Sequence, residues 1–474
     1  MSEPDDDPTP AVEVASSGAD PRPSASHWSG RRGTRVAALG LLVSGLVALG
    51  TGGALRQLTD TSVPPRTAPP SATLAATTSA PALRATPDGD EQRVTALQAL
   101  LTTRARAVLE HDEQAWLSTI DPQAAEFKAK QATVFANLQA VPFAVFSYEF
   151  DGVASPLSAA RRQQLGESAW VARVIADHRI EGYDRGSSQT ELYLTSVQRQ
   201  GSWYLTADTD GATVPELWDL GRVRVVRGDD VLVLGTADLT MLKSFASQGD
   251  KAVDRVTKVW GQRWPRRAVL VVPRTETEMG KLLQRTDGLD QVAAVTTGEL
   301  SGTGSGVAGS DRVVVNPAAF SRLGVVGRRV VLTHEMTHVA VRSSTAPAVP
   351  IWLSEGFADY VGYQGVGLGR RTVAADVLAL TRQGEGFTAL PIAEDFDPAR
   401  TTIAPAYSAA WLACSLIADR YGRAALVKFY RAAATSEADD PEAAVSKAFA
   451  SVLGTSESAF TKTWLDYLAQ LAAA

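Results

Sequence analysis

The stretch VVLTHEMTHVAVRSSTAPAVPIWLSEGFADYVG, residues 330–362, carries two of the five histidines in this chain of 474 residues. His334 and His338 are four positions apart in a helical pattern, so their side chains lie roughly 40° apart around the axis and one turn apart along it. Both imidazoles can therefore bind one tetrahedral metal ion. Glu335, between them in sequence, points to the side, where it can contact a water molecule bound to that ion.

Two further acidic residues follow a loop that contains prolines. There Glu355 can supply a third ligand, and Asp359, one helical turn later, can accept a hydrogen bond from a metal-bound imidazole. Three protein ligands leave the fourth position of a tetrahedral ion open, which is typical of catalytic sites rather than structural ones. The alternative, two surface histidines on a helix, would leave the downstream acidic cluster unexplained. The pattern therefore favours a catalytic metal site.

HEMTH followed by WLSEGFADY resembles the gluzincin metallopeptidases, within the peptidase-MA-like superfamily, and in particular its small exported bacterial members. The resemblance covers about residues 220–474 and implies a small mixed sheet followed by a helical C-terminal half. It implies Zn²⁺ as the cofactor, Glu335 as the general base and Asp359 as the partner of a bound imidazole. The ligands that it implies are His334, His338 and Glu355.

The resemblance also bears on substrate recognition. The strand RVVVNP, residues 312–317, matches the edge strand that pairs with an extended peptide substrate in this superfamily. Only 16 residues lie between His338 and Glu355, slightly fewer than in aminopeptidase-N-like enzymes, and the G-x-M-E-N exopeptidase signature is missing. These departures favour an endopeptidase acting on a peptide or protein substrate over an aminopeptidase.

An oxyanion donor is the catalytic group that the motif leaves open. Gluzincins commonly use a tyrosine or a histidine from the helical domain, and the two histidines beyond residue 180 are both implied ligands. The resemblance therefore implies a tyrosine, and Tyr407, at the start of a helix after a proline-containing loop, is the candidate catalytic residue. The alternative is that Tyr407 only packs at the start of this helix, just as Tyr360 and Tyr421 are expected to pack in the core.

Three segments precede the first folded domain. Residues 1–34 are rich in Pro, Ser, Asp and Gly and are predicted to form a disordered cytoplasmic tail. Residues 35–56 are predicted to be a transmembrane signal-anchor, because residues 36–55 form a run of 20 residues without a charge, enough to cross a hydrocarbon core of ~30 Å. Residues 57–92 are predicted to be a Pro/Thr/Ala linker.

The orientation of this anchor follows from the charges beside it. Arg31, Arg32 and Arg35 precede the apolar run, so the N-terminus is expected in the cytoplasm and the folded part outside the cell membrane. The alternative is a cleaved signal peptide with ALG, residues 48–50, as its cleavage site, which would make the protein secreted.

Composition argues against a nucleic-acid partner and excludes sites that need more than one cysteine. The formal net charge is −6 and the folded part has no basic run, which argues against a nucleic-acid partner. The single cysteine, Cys414, excludes an intrachain disulfide and a thiolate metal cluster. A metal site in this chain must therefore use histidines and carboxylates.

Residues 93–215 have the pattern of a separate α+β domain. An amphipathic helix opens the segment, a second helix is predicted over 113–138, and a meander of strand-like runs follows. This order resembles the NTF2-like, or cystatin-like, cone domains. His111 and His178 are isolated in the sequence, so the segment is expected to be dispensable for catalysis. The metallopeptidase domain is predicted to occupy residues 216–474.

The function predicted from these features is that of a membrane-anchored, extracytoplasmic zinc metallopeptidase that hydrolyses peptide bonds. The first alternative is a catalytically inert, membrane-tethered binding or sensor protein that retains a peptidase-like fold. Inert relatives would be expected to lose Glu335 or a ligand, and this chain has lost neither. A zinc-dependent scaffold is disfavoured, because a closed structural site uses four protein ligands.

Overall fold

The computed structural model describes most of the chain from Pro87 onward. The described ranges are 87–285, 288–290, 292–297, 309–345, 349–397, 400, 402–434 and 441–474. The predicted tail and anchor, and the predicted linker as far as residue 86, lie outside the described residues. Within them, no helix combines the length and the apolar character that crossing a bilayer requires.

The first half of the described chain packs helices against an antiparallel sheet. Its helices are α1 (Pro87–Glu110), α2 (Glu113–Ser118), α3 (Ala125–Leu138) and α4 (Ala159–Leu165). Its strands are β1 (Phe143–Val153), β2 (Trp170–Ile180), β3 (Ser188–Arg199) and β4 (Ser202–Ala207). The strands pair in the order β1-β2-β3-β4, as a meander. Leu97 and Leu101 of α1 pack in one cluster with Trp170 and Val174 of β2.

The helix predicted over 113–138 is broken into α2 and α3. Pro122 stands at the break, and the carboxylate of Asp121 accepts a hydrogen bond from the amide of Gln123. A proline inside a helix removes one hydrogen bond and clashes with the preceding turn, so the chain turns here instead. Residues 87–92 of the predicted linker belong to α1.

The second half builds a mixed sheet and then a helical C-terminal part. Its strands are β5 (Arg224–Arg227), β6 (Val231–Gly235), β7 (Ala268–Val272), β8 (Ala294–Thr297) and β9 (Arg312–Val315). The helices up to the motif region are α5 (Leu217–Leu220), α6 (Leu239–Trp260), α7 (Glu276–Leu282), α8 (Pro317–Arg322), α9 (Val325–Arg342) and α10 (Ile351–Gly362). The predicted α+β class is confirmed.

The C-terminal helices follow α10 without a further strand among the described residues. They are α11 (Arg370–Val373), α12 (Ala375–Gln383), α13 (Ala404–Tyr421), α14 (Arg423–Ala433), α15 (Pro441–Ala448) and α16 (Glu457–Ala473). A 3₁₀ turn (Ala393–Phe396) precedes α13, and a π-helical turn (Phe449–Leu453) follows α15. Their apolar faces join one core with α6, α9 and α10.

The edge strands of the mixed sheet are β5 and β8, and β9 is an inner strand. The strands pair in the order β5-β6-β7-β9-β8, with β9 parallel to β7 and antiparallel to β8. The expectation that residues 312–317 form the edge strand is therefore wrong. Periodicity could not show this, because β8 has only 4 residues, too few for an alternating pattern to stand out. The outer side of β8 pairs with no strand in the described ranges.

Both faces of the mixed sheet are buried. On one face, Val233 and Leu270 pack in the core that includes α9 and α10. On the opposite face, Leu232 packs in one cluster with Val141 and Ile180 of the first half. Parallel strands covered on both faces are apolar throughout, which explains the runs VLVLG and AVLVV. The two halves of the chain thus share a core, a contact that the sequence did not predict.

Candidate metal centre

Helices α9 and α10 approach closely because α10 has glycine where it meets its neighbours. A Cβ on Gly356 would lie 2.4 Å from the carbonyl oxygen of Ala410 in α13, and a Cβ on Gly362 would lie 3.1 Å from that of Val330 in α9. Real Cβ atoms do not come as near to backbone as the first of these distances. Glycine at both positions therefore allows α10 to lie against both α9 and α13.

Three side chains from these two helices converge on one point. Nε2 of His334 lies 3.0 Å from Nε2 of His338 and 3.2 Å from Oε2 of Glu355. Nε2 of His338 lies 3.5 Å from Oε1 of Glu355. Donors bound at about 2.0–2.2 Å to a tetrahedral zinc ion lie about 3.3–3.6 Å apart. One separation lies in this range and the other two are 0.1–0.3 Å shorter, so small side-chain shifts would admit the ion. The predicted ligands His334, His338 and Glu355 are brought together.

The carboxylate oxygens of this cluster are not satisfied by protein hydrogen bonds among the described residues. Both carboxylate oxygens of Glu355 are buried, and neither accepts a hydrogen bond of good geometry from the described residues, although imidazole nitrogens lie near them. Burial raises the pKa of Glu355, but His338 and His334 outweigh it and bring the pKa to about 2. An ionised, buried carboxylate that faces two imidazoles and lacks good hydrogen bonds is suited to bind a cation.

Asp359 lies behind the first of these imidazoles. Its Oδ1 is 2.8 Å from Nδ1 of His334. Burial lowers the pKa of His334, but Asp359 and Glu355 outweigh this effect and raise the pKa well above its ordinary value. A carboxylate at Nδ1 fixes the tautomer and the ring orientation, which leaves Nε2 to face the cluster.

Glu335, between the two histidines on α9, is fully buried. One of its carboxylate oxygens, Oε2, accepts a hydrogen bond of 2.7 Å from the hydroxyl of Thr296 on β8. The other, Oε1, has no hydrogen-bond partner among the described residues. Sequence reasoning missed Thr296, because nothing in the pattern of residues 294–297 links this short strand to the motif helix 39 residues later.

Tyr407 is buried in the first turn of α13, the helix that packs on α10. Its ring meets that of Phe396 edge to face, with centroids 5.2 Å apart. Tyr360 is buried, as expected, whereas Tyr421 is 37 % exposed at the end of α13, so the expectation that it packs in the core is wrong. The role of Tyr407 stays a prediction.

A further buried tyrosine, Tyr430 on α14, was missed by sequence reasoning. Its ring packs against Trp260 and Phe357, and burial raises its pKa, a shift that a hydrogen bond with Ser354 partly offsets. Ser354 is the neighbour of Glu355 in sequence. Tyr430 thus contacts α10 at the residue before the third candidate ligand.

The two histidines of the first half lie outside the candidate cluster, which among the described residues consists of His334, His338 and Glu355. His178 is buried between aromatic rings, with the Phe143 and Trp218 centroids at 5.6 and 5.2 Å. Burial, helped by the charge of Arg312, lowers its pKa to about 3. His178 is therefore a neutral packing residue at physiological pH.

Comparisons with known proteins do not assign this chain to a family. No family model matches the chain, and no curated protein matches it. One similar solved structure is a mutant M1 zinc metallopeptidase from Deinococcus radiodurans, bound to a Tyr-Ser-Ala substrate, with 17% identity and a TM-score of 0.31. The match covers 63% of this chain and 61% of that one, so the chain spans less than two thirds of the length of that peptidase.

Proposed function

We propose that this protein is a zinc-dependent peptidase in which Glu335 is the general base. One observation carries the proposal: three buried side chains bring their donor atoms together at spacings close to those around a tetrahedral ion. Glu335, between the two histidines on the same helix, is buried, and one of its carboxylate oxygens has no hydrogen-bond partner among the described residues. Structural zinc sites use four protein ligands, whereas three ligands leave a position open for water or substrate.

The residues present divide the chemistry between them. Zn²⁺ held by His334, His338 and Glu355 would supply a bound water of lowered pKa and would polarise the scissile carbonyl group. Glu335 accepts a proton as the water oxygen attacks the carbonyl carbon, and it donates that proton to the amine as the C–N bond breaks. Tyr407 is the proposed donor to the oxyanion that forms in between.

The proposed substrate is a peptide or an unfolded protein segment, cleaved internally. The outer side of β8 pairs with no strand among the described residues, and an extended peptide can add to such an edge through backbone hydrogen bonds. The missing G-x-M-E-N signature supports an endopeptidase rather than an enzyme that binds a free N-terminus. A peptide with both ends blocked tests this: its cleavage supports the proposal, whereas cleavage only of peptides with a free N-terminus would identify an aminopeptidase.

We also propose that the protein works outside the cell membrane, anchored by residues 36–55. The proposal rests on the uncharged run and on the arginines before it. Protease added to intact spheroplasts should degrade the folded part if it lies outside. Protection of the folded part would reverse the orientation, and release into the medium would show that the segment is a cleaved signal.

The catalytic proposal is tested with the purified full chain in detergent. The wild type should bind about one zinc per chain and cleave an end-blocked peptide. His334→Ala should lose the metal, whereas Glu335→Gln should keep the metal and lose hydrolysis, because ligand and base are different roles. A zinc-loaded wild type without activity on a broad peptide library would favour the inert binding or sensor protein.

A further inference from the structure

We propose that Thr296 positions the general base: its hydroxyl holds Oε2 of Glu335, so that Oε1 alone serves in proton transfer. This inference rests on the proposed function of Glu335 and adds a residue that the motif does not contain. Thr296 lies on the edge strand β8, 39 positions before Glu335, and it is fully buried.

The hydroxyl of Thr296 has one proton and two nearby acceptors. Oε2 of Glu335 is 2.7 Å away, and the backbone carbonyl oxygen of Glu335 is 3.2 Å away. Inside α9 that carbonyl already accepts the i+4 amide bond of the helix. A carboxylate is the stronger acceptor, and its bonds are shorter. The proton of Thr296 therefore points to Oε2.

The strand fixes this contact. In the β8–β9 register, Thr296 lies opposite Val313, which belongs to the core on the helix-covered face of the sheet. A β-branched side chain on a strand has few rotamers, so the hydroxyl cannot easily turn away from Glu335. Successive strand residues point to opposite faces, and Thr297 accordingly points away from this core.

The result is an asymmetric carboxylate. Oε2 is engaged by Thr296, whereas Oε1 is buried without a hydrogen-bond partner in the described part of the chain. Without the hydroxyl, the carboxylate could rotate about its last bond, and the reacting oxygen would leave its position for part of the time. Small displacements of a catalytic group lower the rate by up to about 10²-fold, while substrate binding elsewhere is unaffected.

The test compares three variants of the full chain. Thr296→Val removes the hydroxyl but keeps the shape, and Thr296→Ser keeps the hydroxyl. Thr195→Val makes the same change at a buried threonine on β3, whose hydroxyl donates a hydrogen bond of 2.7 Å to the carboxylate of Asp210. We expect kcat of Thr296→Val to fall roughly 10- to 100-fold, with KM within about threefold and one zinc per chain retained. Thr296→Ser should recover kcat to within about fivefold of the wild type, and the kcat of Thr195→Val should equal that of the wild type.

A second measurement does not depend on activity. In the metal-free protein, Thr296→Val should lower Tm by a few degrees, because it leaves a buried carboxylate oxygen without its donor. In a Glu335→Ala background the same change should have a smaller effect, since the acceptor is gone. Equal effects in both backgrounds would show that the hydrogen bond is absent.

The outcomes separate this inference from the proposed function. An active wild type whose kcat is unchanged by Thr296→Val, or a loss that Thr296→Ser does not repair, overturns the role of Thr296 alone. A wild type that binds zinc but cleaves no peptide overturns both proposals.

Discussion

Arg185 donates a hydrogen bond from Nη1 to the carbonyl oxygen of Ser343, 3.0 Å away, and so joins the turn before β3 to the end of helix α9. Carbonyl groups at the end of a helix lack partners within the helix. The neighbouring Asp184 binds both terminal nitrogens of Arg312 on β9, at 2.6 and 2.7 Å. The first half of the chain therefore contacts both the strand and the helix that support the candidate metal centre.

A chain that begins near Pro215 is expected to lose the zinc site, contrary to the expectation that residues 93–215 are dispensable. Truncation would expose the sheet face where Leu232 packs with Val141 and Ile180, and burial of such side chains contributes about 1.5–3 kcal/mol each. Zinc content and circular dichroism of the truncated protein measure the outcome. A soluble, folded fragment with one zinc per chain would show that the second half is autonomous.

The Asp184–Arg312 pair should contribute strongly to stability. Their side chains are only 2% and 12% exposed, and removing one partner of a buried pair leaves an uncompensated charge. Asp184→Asn should lower the free energy of unfolding by about 3 kcal/mol. The matched control is Asp419→Asn, because the Arg370–Asp419 pair has both side chains 42% exposed and should contribute less than about 1 kcal/mol. Urea denaturation of metal-free protein gives both values, and similar losses would contradict the prediction.

Gly356 should be essential for the approach of α10 to α13. An added Cβ would meet the backbone of Ala410 at 2.4 Å, and backbone cannot move aside as a flexible side chain does. Gly356→Ala should therefore destabilise the protein by about 1–3 kcal/mol. It should also weaken zinc binding, because Glu355 is the adjacent residue. Gly324→Ala is the control, because its Cβ would meet no atom within 4 Å. A Gly356→Ala protein with normal Tm and zinc affinity would contradict this account.

The sequence predicted the residues of the candidate metal centre better than their surroundings. His334, His338 and Asp359 follow from helical spacing, which is a local property of the chain. Thr296 does not, because its contact with Glu335 depends on the pairing of β8 with β9 and on the packing of the sheet against α9. Such contacts between distant residues leave no periodic signal in the sequence. The core shared by the two halves escaped prediction for the same reason.

The last prediction concerns Tyr407 as the oxyanion donor. Tyr407 lies in the first turn of α13 and is buried, and Gly356 brings this helix into backbone contact with the one that carries Glu355 and Asp359. Tyr407→Phe removes only the hydroxyl, so it should lower kcat about 10²-fold while zinc affinity and KM change little, as expected for a donor used in the transition state.

The control for Tyr407→Phe is Tyr421→Phe at the far end of the same helix, where the side chain is 37 % exposed. This variant should hydrolyse peptides at the wild-type rate. Steady-state kinetics on an end-blocked peptide, with zinc measured on the same samples, compares the two. An equal kcat for Tyr407→Phe and the wild type would remove Tyr407 from the reaction, and a loss of zinc would make it a structural residue. A fall in kcat at full zinc occupancy is the result that an oxyanion donor predicts, because packing of the Tyr407 ring alone does not require its hydroxyl.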